Sequence, residues 1–172
     1  MNNIHLKYGT INDIDTLANL EKSIWISTYK NILPYEYINT LDLIHIKNKF
    51  IKRLYDKKTT TYVILKVDKP IGYIVLTRIS SHILEISKIY ILQEYQHQGI
   101  GQYCYKTIIN QAICSSFKSI EVWIIQGNQT SIDFHKKMSF KYTGIKILHE
   151  KIEDCTLCKY IKFLSKTDNL KL

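Results

Sequence analysis

Ile89-Tyr90-Ile91-Leu92, a β-branched and aromatic run, leads shortly into Gln96-His97-Gln98-Gly99-Ile100-Gly101 and then into a stretch with Ile108, Ile109 and Ala112 on one helical face. The order is strand, glycine turn, helix. A helix start leaves backbone N–H groups without intrahelical acceptors and carries partial positive charge, so a glycine turn entering it can cradle a pyrophosphate through main-chain donors. Gly99 and Gly101 permit the close approach. The segment lacks the Gly-Lys-Ser/Thr ending of a nucleoside-triphosphate loop and the third glycine of a dinucleotide fingerprint, which sets both of those readings aside.

Working outward, residues 61–67, 71–79 and 83–92 are rich in β-branched and aromatic types and are separated by Asp68-Lys69-Pro70 and Ser80-Ser81-His82. They predict three consecutive antiparallel strands. Ahead of them, Ile4, Leu6 and Tyr8 alternate as a first strand, Asn12 or Asp13 caps a helix, and Ile14, Leu17, Ala18, Ile24 and Trp25 share its inner face. After a break at residues 31–34, a second helical region turns Tyr37, Leu41, Ile44, Phe50, Ile51 and Leu54 inward. Beyond the glycine turn come a helix to about residue 116, a strand at 119–125, a short helix at 130–138 and closing strands near 140–149 and 156–164. This order predicts an α/β (α+β) chain, residues 1–172 forming a single domain, with a mixed, mostly antiparallel central sheet of six to seven strands and helices on both faces.

A chain of 172 residues can bury a core without disulfides or a structural metal. Lys66, Asp68 and Lys88 interrupt the hydrophobic stretches and the opening MNNIHLKYG has no signal-peptide pattern, so a cytoplasmic protein with no membrane partner is expected. Cys104, Cys114, Cys155 and Cys158 include one Cys-x-x-Cys pair, whereas zinc sites need two such pairs or histidines at ligand spacing; reduced thiols and no metal are expected. The formal net charge is +9, but the lysines are scattered, which argues against a nucleic-acid partner and suits a phosphate-bearing cofactor.

On the residues of the loop, the sequence resembles the GNAT superfamily of acyl-CoA-dependent N-acyltransferases, whose motif reads Gln/Arg-x-x-Gly-x-Gly/Ala after a strand. Gln96, Gly99 and Gly101 fill it. Leu84-Glu85-Ile86-Ser87-Lys88-Ile89-Tyr90-Ile91 looks like the family's central strand, and residues 128–140 look like its Asn-x-x-(Ala)-Ile-x-Phe-Tyr-x-x-x-Gly-Phe segment. The resemblance implies acetyl-CoA as co-substrate, with Ile89, Tyr90 and Ile91 along the pantetheine and Gln96, His97, Gln98, Gly99, Ile100, Gly101 and Gln102 around the pyrophosphate. It also implies Asn128 and Lys137 at the cofactor's thiol end or phosphates, against the competing roles of turn residue for Asn128 and solvated helix surface for Lys137. Trp25, Tyr29 and Glu36 fall in the part that builds the acceptor site in the family.

Acetylating an alkylammonium of pKa ~10 requires removal of a proton before its nitrogen can attack a thioester. Glu85, fourteen residues before Gly99, stands at the spacing where some family members carry a general base; the bland alternative is a solvated or lysine-paired strand carboxylate. The family's acid tyrosine is replaced here by His135, whose imidazole is an acid, a sulfur-side donor or a packing substitute. Tyr90, Tyr103 and Tyr142 are alternative phenols. Ser139 replaces a glycine at a position that often requires the left-handed conformation.

The likeness is greatest to bacterial polyamine acetyltransferases. It implies a small primary amine, polyamine-like, attacking directly in a ternary complex, with Glu21, Glu36, Asp42 and Glu85 available for an acidic pocket. Protein amines, amino acids, aminoglycosides and a non-catalytic acyl-CoA-binding module stay open. An edge strand near the C-terminus allows a homodimer.

Overall fold

A computed structural model describes residues 3–165. Strands Ile4–Tyr8 (β1), Thr59–Lys66 (β2), Lys69–Arg78 (β3), Ile83–Ile91 (β4), Ser119–Ile125 (β5), Lys141–Leu148 (β6) and Thr156–Phe163 (β7) form one sheet in the order β1-β2-β3-β4-β5-β7-β6. Helices are Ile14–Tyr29 (α1), Tyr35–Asn39 (α2), Leu43–Tyr55 (α3), Ile100–Cys114 (α4) and Gln129–Lys137 (α5). The β4–β5 pairing is parallel, while β1–β2, β2–β3, β5–β7 and β6–β7 are antiparallel. The expected mixed, mostly antiparallel α/β architecture is what the chain adopts. No described helix is long and apolar enough to cross a membrane.

The chain clusters into two compact units, one made of the chain up to Thr77 with Ile86–Cys104, the other of Arg78–Glu85 with the chain from Tyr105 on. Strand β4 and helix α4 each contribute residues to both.

In the first unit, Ile14, Leu17, Ala18, Leu20 and Ile24 of α1 share a buried cluster with Ile46 and Phe50 of α3 and with Val63, Leu65, Tyr73 and Val75 of the sheet. Successive strand residues face opposite ways, and every residue from Ile71 to Leu76 is buried, so both faces of β3 are covered. This is why β3 reads as a continuous apolar run. Gly72 is required there, because a Cβ would stand 2.2 Å from the Tyr90 carbonyl oxygen.

The second helical region divides into α2 and α3, and Ile44, expected inward, is 69% exposed. Asp42 explains the phase: its carboxylate accepts the Ile44 and His45 N–H groups and starts the helix at Leu43, with Ile46 and Phe50 on the inner face. Ile44 lies two residues before Ile46, about 200° round the helix at 3.6 residues per turn.

In the second unit, β5 aligns Ser119, Ile120 and Glu121 with Ile83, Leu84 and Glu85 of β4. Helix α5 ends at Ser139, whose φ of 67° is left-handed. The Ser139 N–H donates to the Lys136 carbonyl and the Phe140 N–H to the His135 carbonyl, the paired bonds that close a Schellman turn. Helix α4 closes in the same way through Ser116 and Phe117.

Candidate active site

Beyond β4, the Leu92 N–H bonds the Ile71 carbonyl at 2.9 Å, a short turn at Gln93–Tyr95 follows, and the Gln96 side-chain amide reaches back 2.8 Å to the Ile91 carbonyl. Gln96 thus ties the loop to the strand end. His97 and Gly99 take left-handed conformations, with φ of 59° and 78°. Tyr103 N–H to Gly99 O, 3.1 Å, is an opening bond of α4. The N–H groups of Ile100, Gly101 and Gln102 precede any intrahelical acceptor, at the positive end of a 15-residue helix.

Two lysines that no motif assigns to the cofactor stand beside this loop. Lys66 Nζ donates to Gln98 Oε1 at 2.9 Å, and the Lys66 and Lys69 ammonium groups lie 5.3 and 5.5 Å from the Tyr95 ring centroid. They sit on the β2–β3 turn, about thirty residues upstream, and no motif spacing marks them; the Ile71–Leu92 alignment carries them to the loop. Main-chain donors and two ammonium groups fit a diphosphate-bearing cofactor.

Still in the first unit, Trp25 and Tyr29 are buried on α1 with ring centroids 4.7 Å apart, and the Tyr29 hydroxyl is 3.1 Å from that of Tyr90. Glu36 is exposed on α2. Near Trp25 lies Glu21, 4% exposed, whose carboxylate accepts from Lys88 Nζ at 2.6 Å and from the Tyr73 hydroxyl at 2.9 Å, with Arg53 Nη1 at 3.6 Å. Burial pushes the Glu21 carboxyl up, but the Lys88 and Arg53 charges and the Lys88 and Tyr73 hydrogen bonds outweigh it, and the net shift is downward. Burial brings the Lys88 ammonium down to about 8, against the attraction of Glu21. Of the four carboxylates available for an acidic pocket, Glu21 is matched by two cations and Asp42 is occupied as a helix cap, whereas Glu36 is exposed and Glu85 half-buried. The sequence signal for Lys88 was its interruption of an apolar strand; nothing marked Arg53.

In the second unit, half-buried Glu85 is in register with Glu121, whose carboxylate pairs with Lys159 at 2.7 Å. His135 is 4% exposed and packs edge-on against the rings of Tyr105, Phe134 and Phe140. Its Nδ1–H donates to the Ser131 carbonyl at 2.7 Å, which leaves Nε2 to accept from the Tyr105 hydroxyl. Burial lowers the imidazole pKa to about 4, opposed by the Ser131 bond, so the ring is neutral with both nitrogens committed. Asn128 Oδ1 caps α5 by accepting the Ser131 N–H, and Lys137 is exposed in the last turn of that helix.

The sheet order and the glycine turn feeding a helix start fit an acyl-CoA-dependent transferase. The family model described as Acetyltransferase (GNAT) family matches residues 16–140, and the chain belongs to that family. It is 24% identical over 159 residues to the uncharacterized N-acetyltransferase YuaI of Bacillus subtilis (strain 168), covering 84% of this chain and 88% of the relative. Among solved structures it is similar to the spermidine N-acetyltransferase of Vibrio cholerae in complex with CoA and spermine, with a TM-score of 0.75, 17% identity, and coverage of 96% of this chain and 98% of that one. It is also similar to the PaiA N-acetyltransferase of Thermoplasma acidophilum in complex with coenzyme A, with a TM-score of 0.72, 19% identity, and coverage of 91% and 97%.

Proposed function

We propose that the chain transfers the acetyl group of acetyl-CoA to the primary amine of a small molecule by direct attack in a ternary complex, the two units acting as one domain. The observation that carries the reading is the strand–turn–helix at Ile89–Gln102, with free N–H groups at the α4 start and Lys66 and Lys69 beside it. The Ile100, Gly101 and Gln102 N–H groups hold the diphosphate, and the Ile89 and Ile91 backbone aligns the pantetheine. Gln96 braces the turn through Ile91 rather than meeting phosphate with its side chain.

The bound acetyl-CoA supplies an activated thioester; the amine must lose its ammonium proton before it attacks. Glu85, on the same strand as Ile89, removes that proton directly or through water. His135 acts as a positioning residue for α5, since its ring is neutral, its one N–H is held by the Ser131 carbonyl and its Nε2 accepts from Tyr105, which leaves no imidazolium proton for the leaving thiolate. A polyamine acceptor has the support of the spermine-complexed neighbour, but the paired Glu21 and capping Asp42 leave little for a polycation, so the reading retains a small primary amine. The exposed apolar residues Tyr142, Ile145, Ile147 and Leu148 on edge strand β6 support a homodimer, and a cytoplasmic setting accords with the cofactor.

Glu85→Gln tests the base. We expect kcat/KM to fall by roughly 10²–10³ near neutral pH and to recover as pH nears the amine's own pKa of ~10. A variant whose pH profile overlays wild type would remove Glu85 from the chemistry.

A further inference from the structure

Two buried N–H donors in the first unit meet no hydrogen-bond acceptor among the described residues: Nη1 of Arg53 and Nε1 of Trp25. Both belong to the neighbourhood of Glu21. Arg53 Nη1 is 3.6 Å from Glu21 Oε2, too far for a hydrogen bond, and Lys88 Nζ, bonded to Glu21 at 2.6 Å, lies 5.7 Å from the Trp25 ring centroid. Trp25 is 9% exposed and the Arg53 side chain 24%, so the donors are desolvated while the cluster still reaches the surface. A buried donor left unpaired is unfavourable, and native structures rarely keep one without a partner to come.

Charge points the same way. One carboxylate, Glu21, faces the cations Lys88 and Arg53, and Lys49 adds a further positive influence on Lys88. Tyr73 donates its hydroxyl proton to Glu21. The residual character is therefore positive and rich in donors. An ammonium placed here would meet like charge, whereas a carboxylate would meet a guanidinium N–H and an indole N–H, both acceptor-seeking groups. The position matters as well: Lys88, which holds Glu21, is next to Ile89 on β4, so the cluster is anchored on the same strand as the backbone assigned to the pantetheine.

We propose that Arg53 Nη1 and Trp25 Nε1 bind the carboxylate of the acceptor, so that the substrate is an amine that also bears a carboxylate, an amino-acid-like molecule rather than a polyamine. This rests on the amine-acetylation reading above. Glu21 and Lys88 hold the two donors in place without touching the reacting atoms.

The probes are ε-aminocaproate and hexylamine, which share a chain and an amine and differ in the carboxylate. With two tryptophans in the chain, Trp123→Phe assigns the Trp25 indole N–H resonance in a proton spectrum. Saturable downfield movement of that resonance is expected with ε-aminocaproate and not with hexylamine, weakened roughly tenfold or more in Arg53→Gln, the factor one charge-assisted hydrogen bond carries. The same preference is expected in kcat/KM from thiol release. An unmoved Trp25 resonance, or equal movement with hexylamine, overturns the carboxylate site. Movement of Trp25 without thiol release from acetyl-CoA by either amine leaves the site standing and removes the acetylation reading instead.

Discussion

An imidazole held near pKa 4 by burial is a poor acid at neutral pH, and His135 shows how one substitution at a motif position changes what the position can do. Its folded pKa lies below the unfolded value of about 6.5, so the stability its neutral form contributes is complete above 6.5 and is lost as pH falls toward 4. A ring-proton titration should find His135 uncharged at pH ~6; a midpoint near 6.5 would contradict its burial. Glu21 makes the opposite kind of case. Replacing it with Gln leaves the Lys88 and Arg53 charges without their anion, and a buried pair broken in this way costs about 3–5 kcal/mol, less whatever solvent recovers at the partly exposed Arg53. Urea unfolding measures the loss, and a change below ~1 kcal/mol, the range of surface pairs, would show the network to be solvated.

Helix ends and strand phases decide how these residues are presented. At Ser139 a non-glycine residue occupies the left-handed closure of α5, φ 67°, so Ser139→Gly should raise stability by about 1 kcal/mol, while Ser139→Ala should not. The midpoint of thermal unfolding reads both, and equal effects would mean that the strain is absent. Elements were legible in the sequence where one local rule governs them. Strands β1 and β5 lie where alternation and β-branched content placed them, and Ser139 is left-handed as its glycine-like position implied. Ile44 was misplaced because hydrophobic spacing cannot see that the Asp42 cap sets the phase of α3. Lys66 and Lys69 were illegible for a different reason: only the β3–β4 alignment, a long-range pairing, brings them to the glycine turn.

For the whole molecule, the cofactor half of the account is local and the acceptor half is not. One continuous segment, Ile89–Gln102, carries strand, turn and helix start, so its fitness for phosphate is readable from the segment itself, and the family resemblance narrows that to acetyl-CoA. The Glu21–Arg53–Lys88 cluster joins α1, α3 and β4, residues more than thirty positions apart, and its two cations take Glu21 out of the acidic pocket that the polyamine-acetyltransferase likeness implied. Both halves meet in one assay, thiol release from acetyl-CoA in the presence of a primary amine, with the acetylated product identified by mass. The account predicts thiol and N-acetyl product in equal amounts, both abolished when the amine is omitted; acetyl-CoA bound at the loop with no thiol released by any amine, polyamine or amino acid would contradict it.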